Sequence, residues 1–248
     1  MDFIKDIKNF LRPWKSPIDH MLLISVQFIG SKKVIAGPFK GLKFMQRFPT
    51  RPMLLGIWEK EISFLWNSLR DIKFIIDIGA AEGFYAVGLA KKYPDKMIYA
   101  FEMNEKTQRL LKDVSFKNSV TNIEIRGKCE FKDLQDLGKR LEDSLIIMDC
   151  EGYEIELLMK DSISIYRRTH MVVEVHEMYS PGCTKLIKER FSASHSITEI
   201  KGKNRDIRDW PTKLRILKHF FPEKVLLHFM DEGRPYPMNW LYMKPKLA

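Results

Sequence analysis

Cysteine is scarce in this sequence. Cys129, Cys150 and Cys183 are the only three, and they contain no C-x-x-C pair. That excludes a disulfide framework and a zinc-ribbon pattern, and it fits a reducing, cytoplasmic setting. Long hydrophobic runs are also missing. Met21 to Ile29 is the most apolar early stretch, but Ser25 and Gln27 interrupt it. It falls well short of the roughly 20 residues of a membrane span, so no transmembrane segment is expected. Asp2 and Asp6 stand where a signal peptide would be purely basic. There is no internal repeat and no low-complexity tract. Acids are in deficit, 32 against 42 Lys and Arg, for a formal net charge of +10. The excess hints at an anionic partner once its location is known.

What is present is ordinary globular material. Hydrophobic residues make up 45% and charged residues 30% of 248, which excludes disorder, collagen and a coiled coil. The length suits one domain with an appendage. Residues 1–56 read as an irregular extension packing on the core, with Pro13, Pro17, Pro38, Pro49 and Pro52 in it. Residues 57–248 read as the main domain, with a basic insertion at 203–238. Within the extension, Phe3, Ile7, Phe10, Leu11 and Trp14 share one helical face, with Lys5, Lys8 and Arg12 off it. The expected reading is a helix docked on its own domain; the other is peripheral contact with a membrane surface.

Periodicity begins with a helix predicted from Ile57 to about Arg70. Strands and helices then alternate. Strands are predicted at Phe74–Ile78, Lys96–Phe101, Asn122–Arg126, Leu145–Met148, Met171–Val175 and Ser196–Ile200, with a last one at Trp240–Met243. Helices are predicted between them at Gly83–Lys92, Glu105–Phe116, Phe131–Leu141, Glu154–Met159 and Thr184–Phe191. The spacing predicts an α/β fold with a doubly wound, mainly parallel, seven-stranded, Rossmann-like sheet.

In such a sheet the ligand lies at the carboxyl ends of the strands. The first strand ends in Asp77-Ile78-Gly79-Ala80-Ala81-Glu82-Gly83. Gly79 permits a tight turn, Ala80 and Ala81 permit close approach, and Gly83 starts a helix whose N-terminus favours a carboxylate or phosphate. The spacing is not G-x-G-x-x-G, and no Gly-Lys-Ser/Thr follows. The pattern D-x-G-x-x-x-G suits S-adenosylmethionine (SAM). Asp77 would face the sulfonium side, and the loop with Gly79, Ala80, Glu82 and Gly83 would wrap the methionine carboxylate. The second strand ends at Glu102, roughly 20 residues past the glycine loop, where an acid can accept from both ribose hydroxyls. Cys129, in the turn after the third strand, is placed to line the adenine.

The fourth strand ends in Asp149-Cys150-Glu151-Gly152-Tyr153-Glu154. Crowded acids need a cation, a proton or hydrogen bonds to compensate them. Asp149 is a candidate SAM or acceptor contact, and Glu151 a candidate acid/base group. Glu154 reads as a second acid/base group or, the favoured reading, as a first-turn helix acid stabilised by the dipole. His176, after the fifth strand, should lie beside Asp149 and is the candidate general base for a hydroxyl, with Asp149 or Glu174 holding its ring. Alternatively, Asp149, Glu151 and His176 bind a divalent cation such as Mg²⁺.

The run from Phe74 to Ala90, the Ala100-Phe101-Glu102 strand end, the D-x-E-G-x-E block and Glu174-Val175-His176 resemble the FkbM-type SAM-dependent methyltransferases. Upstream, Gly37-Pro38-Phe39-Lys40-Gly41 and Gly56-Ile57-Trp58-Glu59-Lys60-Glu61 resemble the lead-in of some members. The resemblance implies a class I methyltransferase fold with an antiparallel last strand. It also implies O-methylation of sugars, polysaccharides or other secondary metabolites.

Half of the net charge sits between Lys201 and Lys218, where seven basic residues face Asp206 and Asp209. The segment is either a solvated insertion or part of an acceptor site for an anionic sugar, a glycan or RNA. The leading expectation is an O-methyltransferase acting on a saccharide-type hydroxyl. The alternatives are an RNA methyltransferase that uses the basic segment, and a non-catalytic SAM-fold binding protein.

Overall fold

The computed structural model describes residues 17–44, 50–159 and 162–246. The predicted face from Phe3 to Trp14 lies outside the described residues. The chain forms two compact units, one of Glu61–Lys203 with Pro237–Ala248, the other of Met1–Lys60 with Asn204–Tyr236.

The first unit holds the sheet. Its elements are β1 (Phe74–Ile78), α3 (Phe84–Lys92), β2 (Met97–Phe101), α4 (Glu105–Lys117), β3 (Ile123–Arg126), α5 (Phe131–Leu137), β4 (Ser144–Met148), α6 (Glu154–Leu157), α7 (Ile163–Tyr166), β5 (His170–Val175), α8 (Cys183–Phe191), β6 (His195–Ile200) and β7 (Asn239–Pro245). The strand order is β3-β2-β1-β4-β5-β7-β6. Only β7 runs antiparallel to its neighbours. The predicted doubly wound, seven-stranded architecture is present.

The strands read as near-continuous apolar runs because both faces of the sheet are covered. All five residues of β4 are buried, and Ile146, Met148, Val173, Leu241 and Met243 contribute to one core. Helix α3 is buried from Phe84 to Ala90, so it packs against the sheet rather than facing water. The side chain of Asn104 caps α4, accepting from the N–H groups of Lys106 and Thr107, a contact worth about 1 kcal/mol.

Register places the functional ends level. Ile78 pairs with Phe101 on one side and Met148 on the other. Gly79, Glu102 and Asp149 therefore follow at one height. Met148 pairs with Val173, which sets Glu174 beside Asp149. Strand order reverses between β1 and β4, and the crevice that ligands occupy in open α/β sheets lies at such a point.

The second unit is helical. It holds α1 (Pro17–Gly30), α2 (Arg51–Leu55), α9 (Glu223–Met230) and 3-10 turns at Ile207–Asp209 and Thr212–His219. Leu22, Val26, Leu54, Trp210, Leu214 and Phe229 are among its core residues. Helix α1 corrects the expectation of an irregular extension. Pro17 occupies its first position, where a missing N–H costs nothing. The predicted helix from Ile57 to Arg70 is instead a run of 3-10 turns, Lys60–Asn67, with Ile62 and Trp66 buried and Phe64 59% exposed.

Candidate functional site

The loop after β1 is tied to β2 and β4. The N–H groups of Gly79 and Ala80 both donate to the carbonyl of Phe101, at 3.0 and 2.9 Å. A Cβ on Gly79 would lie 1.8 Å from the carbonyl oxygen of Asp149. Glycine is thus required here by the sheet itself, before any ligand is considered. Gly83 has φ 91° and precedes α3, and a Cβ there would meet Leu111 at 2.3 Å. Ala80 is buried, and Ala81 holds a left-handed φ of 45°. Burial raises the Glu82 carboxyl, and the charge of Glu102 adds to the shift, against a hydrogen bond from its own N–H.

Glu102 is already oriented. Its Oε2 accepts from the Ala81 N–H at 3.0 Å and its Oε1 from the Asn104 N–H at 2.7 Å. Each carboxylate oxygen has a second lone pair, so the group retains capacity for two hydroxyls. Asp77 is buried at the end of β1, and its Oδ2 has no hydrogen-bond partner among the described residues. Burial raises its pKa to about 8, Asp149 adds to the rise, and the Ala86 N–H opposes it. An unsatisfied buried carboxylate oxygen is costly, and it is a place where a cationic ligand group would be welcome.

Cys129 departs from the expectation of an adenine-lining side chain. It is buried in the apolar core, and burial pushes its thiol up to about 12. Open space lies instead beside Gly127, where an added Cβ would meet nothing within 4 Å.

The second cluster lies at the ends of β4 and β5. His176 is buried, with Nδ1 2.8 Å from Glu154 Oε1. Its Nε2 lies 3.2 Å from Glu174, 3.4 Å from Asp149 and 3.6 Å from Glu151. The structure therefore brings His176, Asp149 and Glu151 together as expected. Glu174, expected as a partner of the ring, is in place, and Glu154 joins it from the first turn of α6. Both are buried, and the Glu154 Oε1 also accepts the N–H of Cys150 at 3.1 Å. Burial works against a charged imidazole. The hydrogen bonds to Glu154 and Glu174 and the charge of Asp149 overcome it and raise the His176 pKa to about 11. The ring is then an imidazolium at neutral pH, which does not suit the predicted general base. The turn carrying Glu151 is tight: Glu151 has φ 56° and Gly152 φ 99°. Ala81 and Glu151, one on each rim loop, are among the non-glycine residues with left-handed φ.

The donor atoms of Asp149, Glu151 and His176 lie within 4.8 Å of one another. That set suits a hard divalent cation, and Glu154 on the far ring nitrogen would orient the histidine as such ligands require.

The basic segment differs from a free cationic face. Arg205 is 5% exposed, with Nε 3.3 Å from Glu232. Arg208 pairs with Asp206 at 2.7 Å, and Lys60 with Asp209 at 2.6 Å. Lys201 pairs with Glu199. Lys213, Arg215 and Lys218 are exposed.

No family model and no curated protein sequence matches this chain. Solved structures do. A candidate O-methyltransferase from Klebsiella pneumoniae superposes with a TM-score of 0.50 at 11% identity, over 98% of this chain and 96% of that one. The O-methyltransferase TomG from Streptomyces achromogenes, involved in tomaymycin synthesis and solved with SAM, gives 0.52 at 12% identity, over 77% and 82%. These likenesses establish the class I SAM-dependent methyltransferase fold.

Proposed function

We propose that the chain is a SAM-dependent O-methyltransferase whose acceptor is a hydroxyl of a saccharide or related polyhydroxylated metabolite. The observation that carries this reading is the unpartnered, buried Asp77 Oδ2, set one strand from the preoriented Glu102. The rim around it is acidic, with Asp77, Glu82, Glu102 and Asp149 on adjacent strand ends. Such a rim repels the phosphates of a nucleotide. It suits SAM, which carries a sulfonium, an ammonium and two ribose hydroxyls. The FkbM-type resemblance of the D-x-E-G-x-E block points the same way.

When bound, SAM supplies an electrophilic methyl group on a positively charged sulfur. Asp77 would hold a cationic part of it, Glu102 the ribose, and the loop from Gly79 to Gly83 the remainder. Asp149 and Glu151 are the groups able to take the proton of an acceptor hydroxyl. Imidazolium His176 holds them in place, and Glu154 and Glu174 hold His176. Catalysis by this chain is then alignment plus proton removal. Four carboxylates around the acceptor end, Asp149, Glu151, Glu154 and Glu174, favour a neutral hydroxyl-bearing group over an anionic one. An RNA acceptor draws little support from a segment whose Arg205 and Arg208 are committed to acids.

A second reading rests on the Asp149–Glu151–His176 donor set, which would bind a divalent cation and with it two neighbouring acceptor hydroxyls. Both readings are tested by incubating the protein and methyl-labelled SAM with neutral oligosaccharides, nucleotide sugars and RNA, with and without Mg²⁺. Label in a neutral saccharide supports the proposal. Label confined to RNA, or none in any hydroxyl acceptor despite SAM binding, contradicts it.

A further inference from the structure

Helix α1 is apolar on two sides. Leu22, Val26 and Gly30 turn inward and are buried. The opposite side carries Ile18, Met21, Ile24 and Phe28, spaced by three and four residues, so they form one stripe. These side chains face water: Met21 is 62%, Ile24 54% and Phe28 86% exposed. A helix that is apolar all round is normally covered on both sides. The inner side is covered by the core of its own unit.

The charges around the stripe narrow what meets the outer side. The first basic residues after the helix are Lys32 and Lys33, and the single acid within it is Asp19. Asp19 is buried, so α1 shows no exposed carboxylate. Lys32 is exposed and Lys33 half-buried, directly beyond the end of the helix that carries Phe28. A second copy docking through this stripe would bring two lysine-rich segments together, with no exposed acid on α1 to neutralise them. Anionic lipid headgroups would neutralise them, while the stripe entered the acyl boundary and the long lysine stems reached back to the headgroups.

We infer that the outer face of α1 docks on an anionic lipid surface, holding the enzyme at a membrane without spanning it. No helix among the described residues is long and apolar enough to cross one. This inference does not depend on the proposed chemistry, and its test reads binding rather than methyl transfer.

The test is co-sedimentation of the full chain with vesicles of phosphatidylcholine alone or mixed with phosphatidylglycerol. Wild type should pellet with the anionic vesicles, less so as salt rises, and hardly at all with the neutral ones. The triple variant Met21→Glu, Ile24→Glu, Phe28→Glu should lose binding by at least about tenfold, because each side chain forfeits its apolar burial. These side chains are exposed, so its circular dichroism and melting temperature should match wild type. Lys32→Glu with Lys33→Glu, a second variant outside the helix, should weaken binding roughly fivefold per lysine removed. The inference is overturned if wild type ignores anionic vesicles at low salt, or if the folded triple variant binds them as well as wild type. A dimer in light scattering that the triple variant abolishes would assign the stripe to a second copy and overturn it too.

Discussion

Glu154 and His176 form the central pair of the candidate acceptor site, with Oε1 and Nδ1 2.8 Å apart and both side chains buried. Two opposite charges at this distance and depth fix each other's state: the Glu154 carboxyl is lowered by its hydrogen bond to His176, against the cost of burial. The imidazole is raised in turn. An acid in the first turn of a short helix thus becomes the anchor of the histidine that follows β5.

His176 stabilises the fold as a cation. Its folded pKa of about 11 exceeds the ordinary 6.5, so its contribution is fully present below about 6.5 and is lost as pH rises through about 11. Removing it by His176→Ala strands several carboxylates and should cost about 3–5 kcal/mol. In wild type, the turnover profile between pH 6 and 9 should contain no ionisation that vanishes in His176→Asn. A single such ionisation near neutrality would restore the general-base role. With the imidazolium compensating the acids, EDTA should leave turnover unchanged. A loss that Mg²⁺ restores would instead assign Nε2 to a cation.

Asp77 should trade stability for binding. Its folded pKa of about 8 lies above the ordinary 3.8, so its favourable contribution is complete below about 3.8 and is lost as pH rises through 8. Asp77→Asn mimics the protonated form. Its melting temperature should match wild type near pH 3.5 and exceed it increasingly up to pH 8, by an energy on the order of a few kcal/mol. Saturating SAM should remove that difference by stabilising wild type alone. Identical melting curves at both pH values would show that Asp77 carries no buried-charge cost.

Gly79 is expected to fail as a ligand-only test. The 1.8 Å approach of an added Cβ to the Asp149 carbonyl adds a backbone clash to a left-handed φ of 88°. Gly79→Ala should lose about 3 kcal/mol and roughly 10 °C in Tm without any ligand. An unchanged Tm, measured by calorimetry in the absence of SAM, would return the glycine's role to ligand approach.

The sheet was legible because buried parallel strands show as short apolar runs. Phe74–Ile78 agrees to the residue, and spacing alone pointed to Glu102. Helix α1 was obscured because Pro17 reads as a breaker unless its place at the first helical position is known. The pairing of Glu154 with His176 was hidden for a different reason. The position of Glu154 in α6 offers a sufficient local explanation for an acid, whereas its burial comes from the β4–β5 pairing that carries His176 over it. The committed arginines of the basic segment were hidden likewise, since Glu232 meets Arg205 from far along the chain.

The most direct measurement is a calorimetric titration of SAM into wild type and Glu102→Ala at matched pH and temperature. Glu102 accepts hydrogen bonds from Ala81 and Asn104 at a site open to solvent, where water can replace the carboxylate, so its loss should lower Tm modestly and leave the chain folded. Hydrogen bonds to a charged group are worth about 1.5–3 kcal/mol each. The account predicts one-site SAM binding by wild type and at least about a tenfold weaker Kd in the variant. No heat of binding in wild type, or equal affinity in two folded proteins, would contradict it.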